Sequence, residues 1–164
     1  MTNPWNMDDK PHEECGVFGI YGPDLDVART TFFGLYALQH RGQESAGIAA
    51  TDGNGIRWRR SLGLVSNAFN EEDIDNLNGF AAIGHTRYST AGSTVLANAG
   101  PMHVDTDLGP IAISHNGNIT NVIPLREELE AQGEEFVSTT DSEVLARVIA
   151  LADGFNMGQK IRNA

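Results

Sequence analysis

The sequence is poor in cysteine and in positive charge, and it has no long apolar run. Its single cysteine, Cys15, excludes an intrachain disulfide and the four-thiolate set of an iron–sulfur cluster. Lys and Arg number 11 against 22 Asp and Glu, a formal charge of −11. Such a surface repels nucleic acid and anionic membrane. The densest basic stretch, "RWRR" at 57–60, reads as a solvated strand face rather than a phosphate-tracking patch. No apolar segment approaches the roughly 18–20 residues that cross a bilayer. The opening "MTNPWNMDDKPHEE" has neither the cationic start nor the apolar core of a secretion signal. The chain therefore reads as cytoplasmic, and the sequon "NIT" at 118–120 as a chance match. Neither GxxxxGKS/T nor GxGxxG occurs, and the 5 histidines show no metal-ligand spacing.

What is present suits one globular domain: 164 residues, of which 40% are hydrophobic, bury a real core. Residues 1–14 are polar and aperiodic and read as a leader. "GVFGIYG" predicts a strand bounded by glycines. A helix is predicted over Val27–His40, with a stripe of Ala28, Phe32, Leu35, Tyr36 and Leu38, closed by Gly42. "DGNG" between two strand-like runs predicts a hairpin. Further strands are predicted in "GFAAIGHTRYS" and "GPIAISHNGNI". A helix in "NVIPLREELEAQG" has Pro124 in its first turn and Gly133 past its end. Another begins at "TTDSEVLARVIALADG", with a Thr140–Glu143 capping box and an apolar face of Val144, Leu145, Val148, Ile149 and Ala152. Beyond Gly154 the pattern fades. The apolar runs "FAAIG" and "PIAIS" suggest strands covered on both faces, hence a layered α+β domain with helices outside sheets.

Polar residues gather at the ends of these strands, where sites are usually assembled. In "SHNGN", Asn116 and Gly117 make either a tight turn or a pair of oxyanion donors. Arg87, amid strand residues, needs an anion: a structural ion pair, or the carboxylate of a substrate. Asp141 suits a helix N-terminus and equally a substrate ammonium. Cys15 is either a packing residue or a nucleophile, with His85 or His115 as a possible base.

Taken in order, "CGVFGI", "LQHRGQESAGI", "GHTRYSTAG", "HNGNI" and "TTDSE" closely resemble the glutaminase domain of class II glutamine amidotransferases. These belong to the N-terminal-nucleophile hydrolases, and the resemblance runs from Cys15 to about Asp153. "QHRGQESAGI" and "GHTRYSTAGS" are most similar to the amidophosphoribosyltransferase branch, which makes phosphoribosylamine from phosphoribosyl pyrophosphate at the first committed step of purine synthesis. The resemblance implies a four-layer αββα sandwich, incomplete at its C-terminus. It implies that residues 1–14 are a propeptide and 15–164 a partial amidotransferase domain without the phosphoribosyltransferase domain.

The same resemblance implies that Cys15 attacks the side-chain amide of L-glutamine after the Glu14–Cys15 bond is cut. The freed α-amine, near pH 7.7–8.0, is matched to a thiol at about 8.5. By resemblance, Asn116 and Gly117 stabilise the oxyanion, Arg87 binds the α-carboxylate and Asp141 the α-ammonium. Arg41 and Gly42 match a loop beside the nucleophile, and Thr90 a position near the carboxylate. No cofactor is expected in this chain. Full-length relatives use Mg2+ with phosphoribosyl pyrophosphate, some carry a 4Fe–4S cluster, and the resemblance implies a homo-oligomer with its ammonia-acceptor site in the C-terminal domain. Two alternatives accompany this reading. One is the glutaminase part of another synthase, such as that making glucosamine 6-phosphate; the other is an inactive, truncated glutamine-binding domain.

Overall fold

Alternating and continuous apolar runs become strands where the sequence predicts them. In the computed structural model, which describes residues 14–88 and 94–164, β1 (Gly16–Tyr21), β2 (Ser45–Thr51), β3 (Ile56–Leu62) and β4 (Ala81–Arg87) form a sheet ordered β1-β4-β2-β3. Every pair in it is antiparallel. The "DGNG" turn joins β2 to β3 as expected, and β2 is buried along all but its last residue. The "RWRR" run lies on β3 as a largely solvated face, with Arg57 paired to Asp52 and Arg59 to Asp73. Arg60 departs from that pattern. It stacks over Trp58 at 4.5 Å and donates to the Ala99 carbonyl at 2.8 Å.

Helix α1 (Val27–Ala37) covers one face of this sheet, capped by the Asp26 carboxylate, which accepts from the Arg29 N–H. It stops short of His40, and Gln39–Arg41 form a 3-10 turn instead. Its buried face is Val27, Ala28, Thr31 and Leu35, while Tyr36 is exposed. Thr31 enters the core because its hydroxyl donates to the Val27 carbonyl at 2.7 Å, so burial leaves it satisfied. Two short helices not legible beforehand, α2 (Val65–Ala68) and α3 (Glu71–Asp75), complete the cluster with Val65, Phe69 and Ile74.

A second, two-stranded sheet pairs β5 (Met102–Thr106), which was not predicted, with β6 (Gly109–Ile113), which was. Met102 and Val104 pack with Ile111, Ile113 and Ala146. Helices α4 (Val122–Ala131) and α5 (Asp141–Leu151) follow as expected, and Gly133 takes φ 96 just past α4. The buried face of α5 is Glu143, Val144, Ala146 and Ile149, a stripe shifted from the predicted one. The capping box forms only by half. The Thr140 hydroxyl accepts from Glu143 N–H, but the Glu143 carboxylate turns away to accept from Val137 N–H at 3.0 Å and Ser138 N–H at 2.6 Å. Burial opposes ionisation of Glu143, yet these bonds and Arg147 outweigh it and hold its carboxyl below the usual range. Where the pattern fades, a further helix α6 (Met157–Asn163) starts on an Asn156 cap. Its buried Lys160 donates to the Ala150 and Ala152 carbonyls at the end of α5.

Candidate active site

The start of β1, the end of β4, the loop after β6 and the N-terminus of α5 converge on one cavity of ≈ 180 Å³. Cys15, Arg87, Gly117 and Asp141 all line it, together with His85 and His115. A larger groove of ≈ 470 Å³, around Ile20, Ala49, Ala82 and Ala112, is lined by no charged residue and no thiol.

Pairing of Gly16 with Thr86 sets Cys15 beside the end of β4, and its thiol donates to the Tyr88 carbonyl at 3.5 Å. Arg41 lies alongside: its Nε donates to the Cys15 carbonyl at 3.3 Å and its Nη2 to the Glu14 carboxylate at 3.2 Å. Gly42 is buried against β4 so closely that a Cβ there would stand 2.7 Å from main-chain carbons of Thr86 and Arg87. Arg87 is itself buried. Its Nη1 donates to the Asn98 carbonyl at 2.6 Å and its Nε lies 4.0 Å from the Glu44 carboxylate.

Across the cavity, the Asp141 carboxylate accepts from Ile119 N–H at 3.1 Å, which ties the loop after β6 to the first turn of α5. Ser142 Oγ lies 3.2 Å from His115 Nδ1 and donates to Asp141 at 3.4 Å. Gly117 lines the cavity, while Asn116 is exposed on the same loop and is not part of the lining. Thr90 falls outside the described residues, as does the leader up to residue 13.

Neither histidine considered as a base engages the thiol. His115 Nδ1 faces Ser142 and Asp141. His85 is 7% exposed, and neither ring nitrogen has a hydrogen-bond partner among the described residues. Burial is the main reason its pKa falls from about 6.5 to about 4. The His115 main chain, near but outside hydrogen-bonding geometry, opposes that shift, and the Arg87 charge and His115 ring add to it. The ring is therefore neutral at pH 7. Because the unfolded chain takes up this proton more readily, the part of the stability that depends on this ring staying neutral is present above about pH 6.5 and is lost as the pH drops towards 4. The loss amounts to about 3 kcal/mol. Denaturant unfolding across this range should show that much less acid destabilisation in His85→Gln; equal pH slopes in the two proteins would contradict it.

Asn98 and Thr139 also line the cavity; Thr139 opens the "TTDSE" motif without having been singled out in it, and the sequence offers no signal for Asn98. Asn98 sits in "LAN", a short apolar-looking segment whose 3-10 turn only the fold reveals.

A family model described as a glutamine amidotransferase domain matches residues 73–161. The amidophosphoribosyltransferase of Synechococcus elongatus is 51% identical over 158 residues, covering 95% of this chain and 32% of the relative. That of Synechocystis sp. is 55% identical over 143 residues, covering 87% of this chain and 29% of the relative. A solved structure of the allosteric regulatory enzyme of purine biosynthesis matches with a TM-score of 0.82 at 40% identity, over 90% of this chain and 32% of its own. The chain thus spans about a third of the length of the curated relatives it matches. The matched segment takes in more than half of the chain, with Arg87, Gly117 and Asp141 inside it, and the chain belongs to the glutamine amidotransferase domain family.

Proposed function

We propose that this chain is the glutaminase part of an amidophosphoribosyltransferase, hydrolysing L-glutamine so that the ammonia reaches phosphoribosyl pyrophosphate. The observation that carries the proposal is the convergence of one thiol, one buried guanidinium, one loop glycine and one carboxylate on a single small cavity. Those groups match glutamine's parts: Cys15 for the carboxamide carbon, Gly117 N–H for the developing oxyanion, Arg87 for the α-carboxylate and Asp141 for the α-ammonium; the Asn116 amide, outside the lining, joins Gly117 by the resemblance alone. The names of the relatives favour this acceptor over that of glucosamine 6-phosphate synthesis.

In the chain as written, the nitrogen of Cys15 is an amide and cannot accept a proton, so the Glu14–Cys15 bond must first be hydrolysed. Residues 1–14 are then the propeptide. The freed α-amine takes the thiol proton, the thiolate bonds to the carboxamide carbon, and the oxyanion collapses as the C–N bond breaks. The amine passes its proton to the departing ammonia, and water hydrolyses the thioester to glutamate. Arg41, already on the Cys15 carbonyl, holds the new terminus in place. Thr90 beside the α-carboxylate rests on the resemblance alone, as do the completed four-layer sandwich, the separate phosphoribosyltransferase domain and the homo-oligomer, while cytoplasmic location rests on the sequence reading. Among the described residues no group of three or more His, Cys, Asp or Glu is placed to hold a metal ion, and the lone thiol cannot hold a cluster. No step here passes through Mg2+ or an iron–sulfur centre.

If the leader stays attached, the site has its nucleophile but no base, which is the inactive alternative. Intact-protein mass and labelling with a glutamine analogue bearing an electrophilic side-chain carbon decide between them. The expected result is a mass starting at Cys15 and one label on that residue, lost in Cys15→Ala. An intact leader in protein that turns over glutamine would overturn the mechanism.

A further inference from the structure

Arg87 ends β4 and Asp141 begins α5, so no shared element fixes the distance between them. An α-amino acid carries its carboxylate and ammonium on one carbon, and two clamps that drift apart cannot hold both. The link is Asn98, 2% exposed at the end of the 3-10 turn Leu96–Asn98. Its main-chain carbonyl accepts from Arg87 Nη1 at 2.6 Å. Its side chain closes on Thr139 in both directions. Oδ1 accepts from Thr139 N–H at 2.9 Å and from the Thr139 hydroxyl at 3.3 Å, and Nδ2 donates to that hydroxyl's oxygen at 3.0 Å. Thr139 stands two residues before Asp141, on a segment whose Val137 and Ser138 N–H groups are fixed by Glu143.

We infer that Asn98 is a positioning residue that sets the spacing of the carboxylate and ammonium clamps and so selects the α-amino-acid head group of the substrate. The inference rests on the proposed roles of Arg87 and Asp141. Its division of labour is specific. The backbone of Asn98 serves Arg87, and only the side chain reaches the segment bearing Asp141. Truncating that side chain frees the ammonium clamp and leaves the carboxylate clamp in place. A buried amide closed on a threonine in this way also orders the chain, so the test needs a readout that a purely structural role would not move.

The experiment compares L-glutamine with glutaramic acid, which is glutamine without the α-amine, in the whole mature protein. Native protein should prefer glutamine roughly 10- to 100-fold in kcat/KM, as one charge-assisted contact allows. In Asn98→Ala most of that preference should vanish, through a raised KM for glutamine, while kcat/KM for glutaramic acid changes less than about 3-fold. Alkylation of Cys15 by iodoacetamide should keep its rate. Asn98→Asp, which retains the acceptor for Thr139 N–H, should recover part of the preference. Equal losses on both substrates, or an unchanged preference in the alanine variant, would overturn the inference. If Asn98→Ala fails to fold, Thr139→Val removes the hydroxyl contacts alone and should shift the preference the same way; no shift there overturns it as well. Native protein that ignores the α-amine, or whose Cys15 takes no glutamine-directed label, would instead defeat the underlying functional proposal.

Discussion

Gly117→Ala is expected to lower kcat for glutamine hydrolysis about 100-fold or more with a much smaller change in KM, the range seen when one oxyanion donor is lost. A Cβ at this position would stand 2.6 Å from Nε2 of His115. The ring cannot simply swing aside, because Nδ1 lies 3.2 Å from Ser142 Oγ, beside Asp141. The chain must either break that contact or move residue 117, and with it the N–H proposed to meet the oxyanion. Since that N–H matters most when negative charge develops, the loss falls on kcat rather than on binding. His115→Ala in the same chain opens the space for the extra methyl. The double variant should therefore recover part of the kcat lost by Gly117→Ala, a coupling that a double-mutant cycle measures directly. Additive losses would mean that the clash is not the cause.

Legibility in the sequence followed element length and chemical oddity. β1, β2, β3 and β4 carry six or seven residues each with period-two or continuous apolar patterning, and glycine-rich turns bracket them. β5 was missed because "MHVDT" offers only Met102 and Val104 as apolar positions, and its partner strand supplies the remaining order. α2 and α3 are one turn each, too short for any helical period to show. α6 hides because its buried residue is Lys160, held by carbonyls of α5 rather than by apolar neighbours. The site divides the same way. Cys15, Arg87, Gly117 and Asp141 stood out as costly or conformationally unusual residues at strand and helix ends, and the fold brings all four to one cavity. Asn116 stood out equally but is exposed beside it. Asn98 was silent because its partners are Arg87 and Thr139, 11 and 41 residues away in sequence. No local pattern encodes such a contact.

Arg87→Lys is expected to reduce kcat/KM for glutamine roughly 10- to 100-fold, mainly through KM, because the substitution keeps the charge but loses a charge-assisted hydrogen bond of the fork, worth about 1.5–3 kcal/mol. Arg87 is 8% exposed, gives one arm of its fork to the Asn98 carbonyl at 2.6 Å, and lies 4.0 Å from the Glu44 carboxylate. A guanidinium can hold that carbonyl with one nitrogen and still present others to a substrate carboxylate, which an ammonium on a flexible stem cannot do with the same geometry. Lysine keeps the charge, so the variant tests the fork rather than the electrostatic field. The discriminating substrate is 4-aminobutanamide, which is glutamine without its α-carboxylate. It has nothing for Arg87 to clamp, so its kcat/KM should be low in native protein and change little in Arg87→Lys. If both substrates lose activity by the same factor, Arg87 is a structural partner of Asn98 and Glu44, and the carboxylate must be held elsewhere. If only glutamine suffers, the residue that the sequence leaves open between ion pair and clamp is the clamp. Its anchoring bond to Asn98 is then the near end of the same strap that places Asp141.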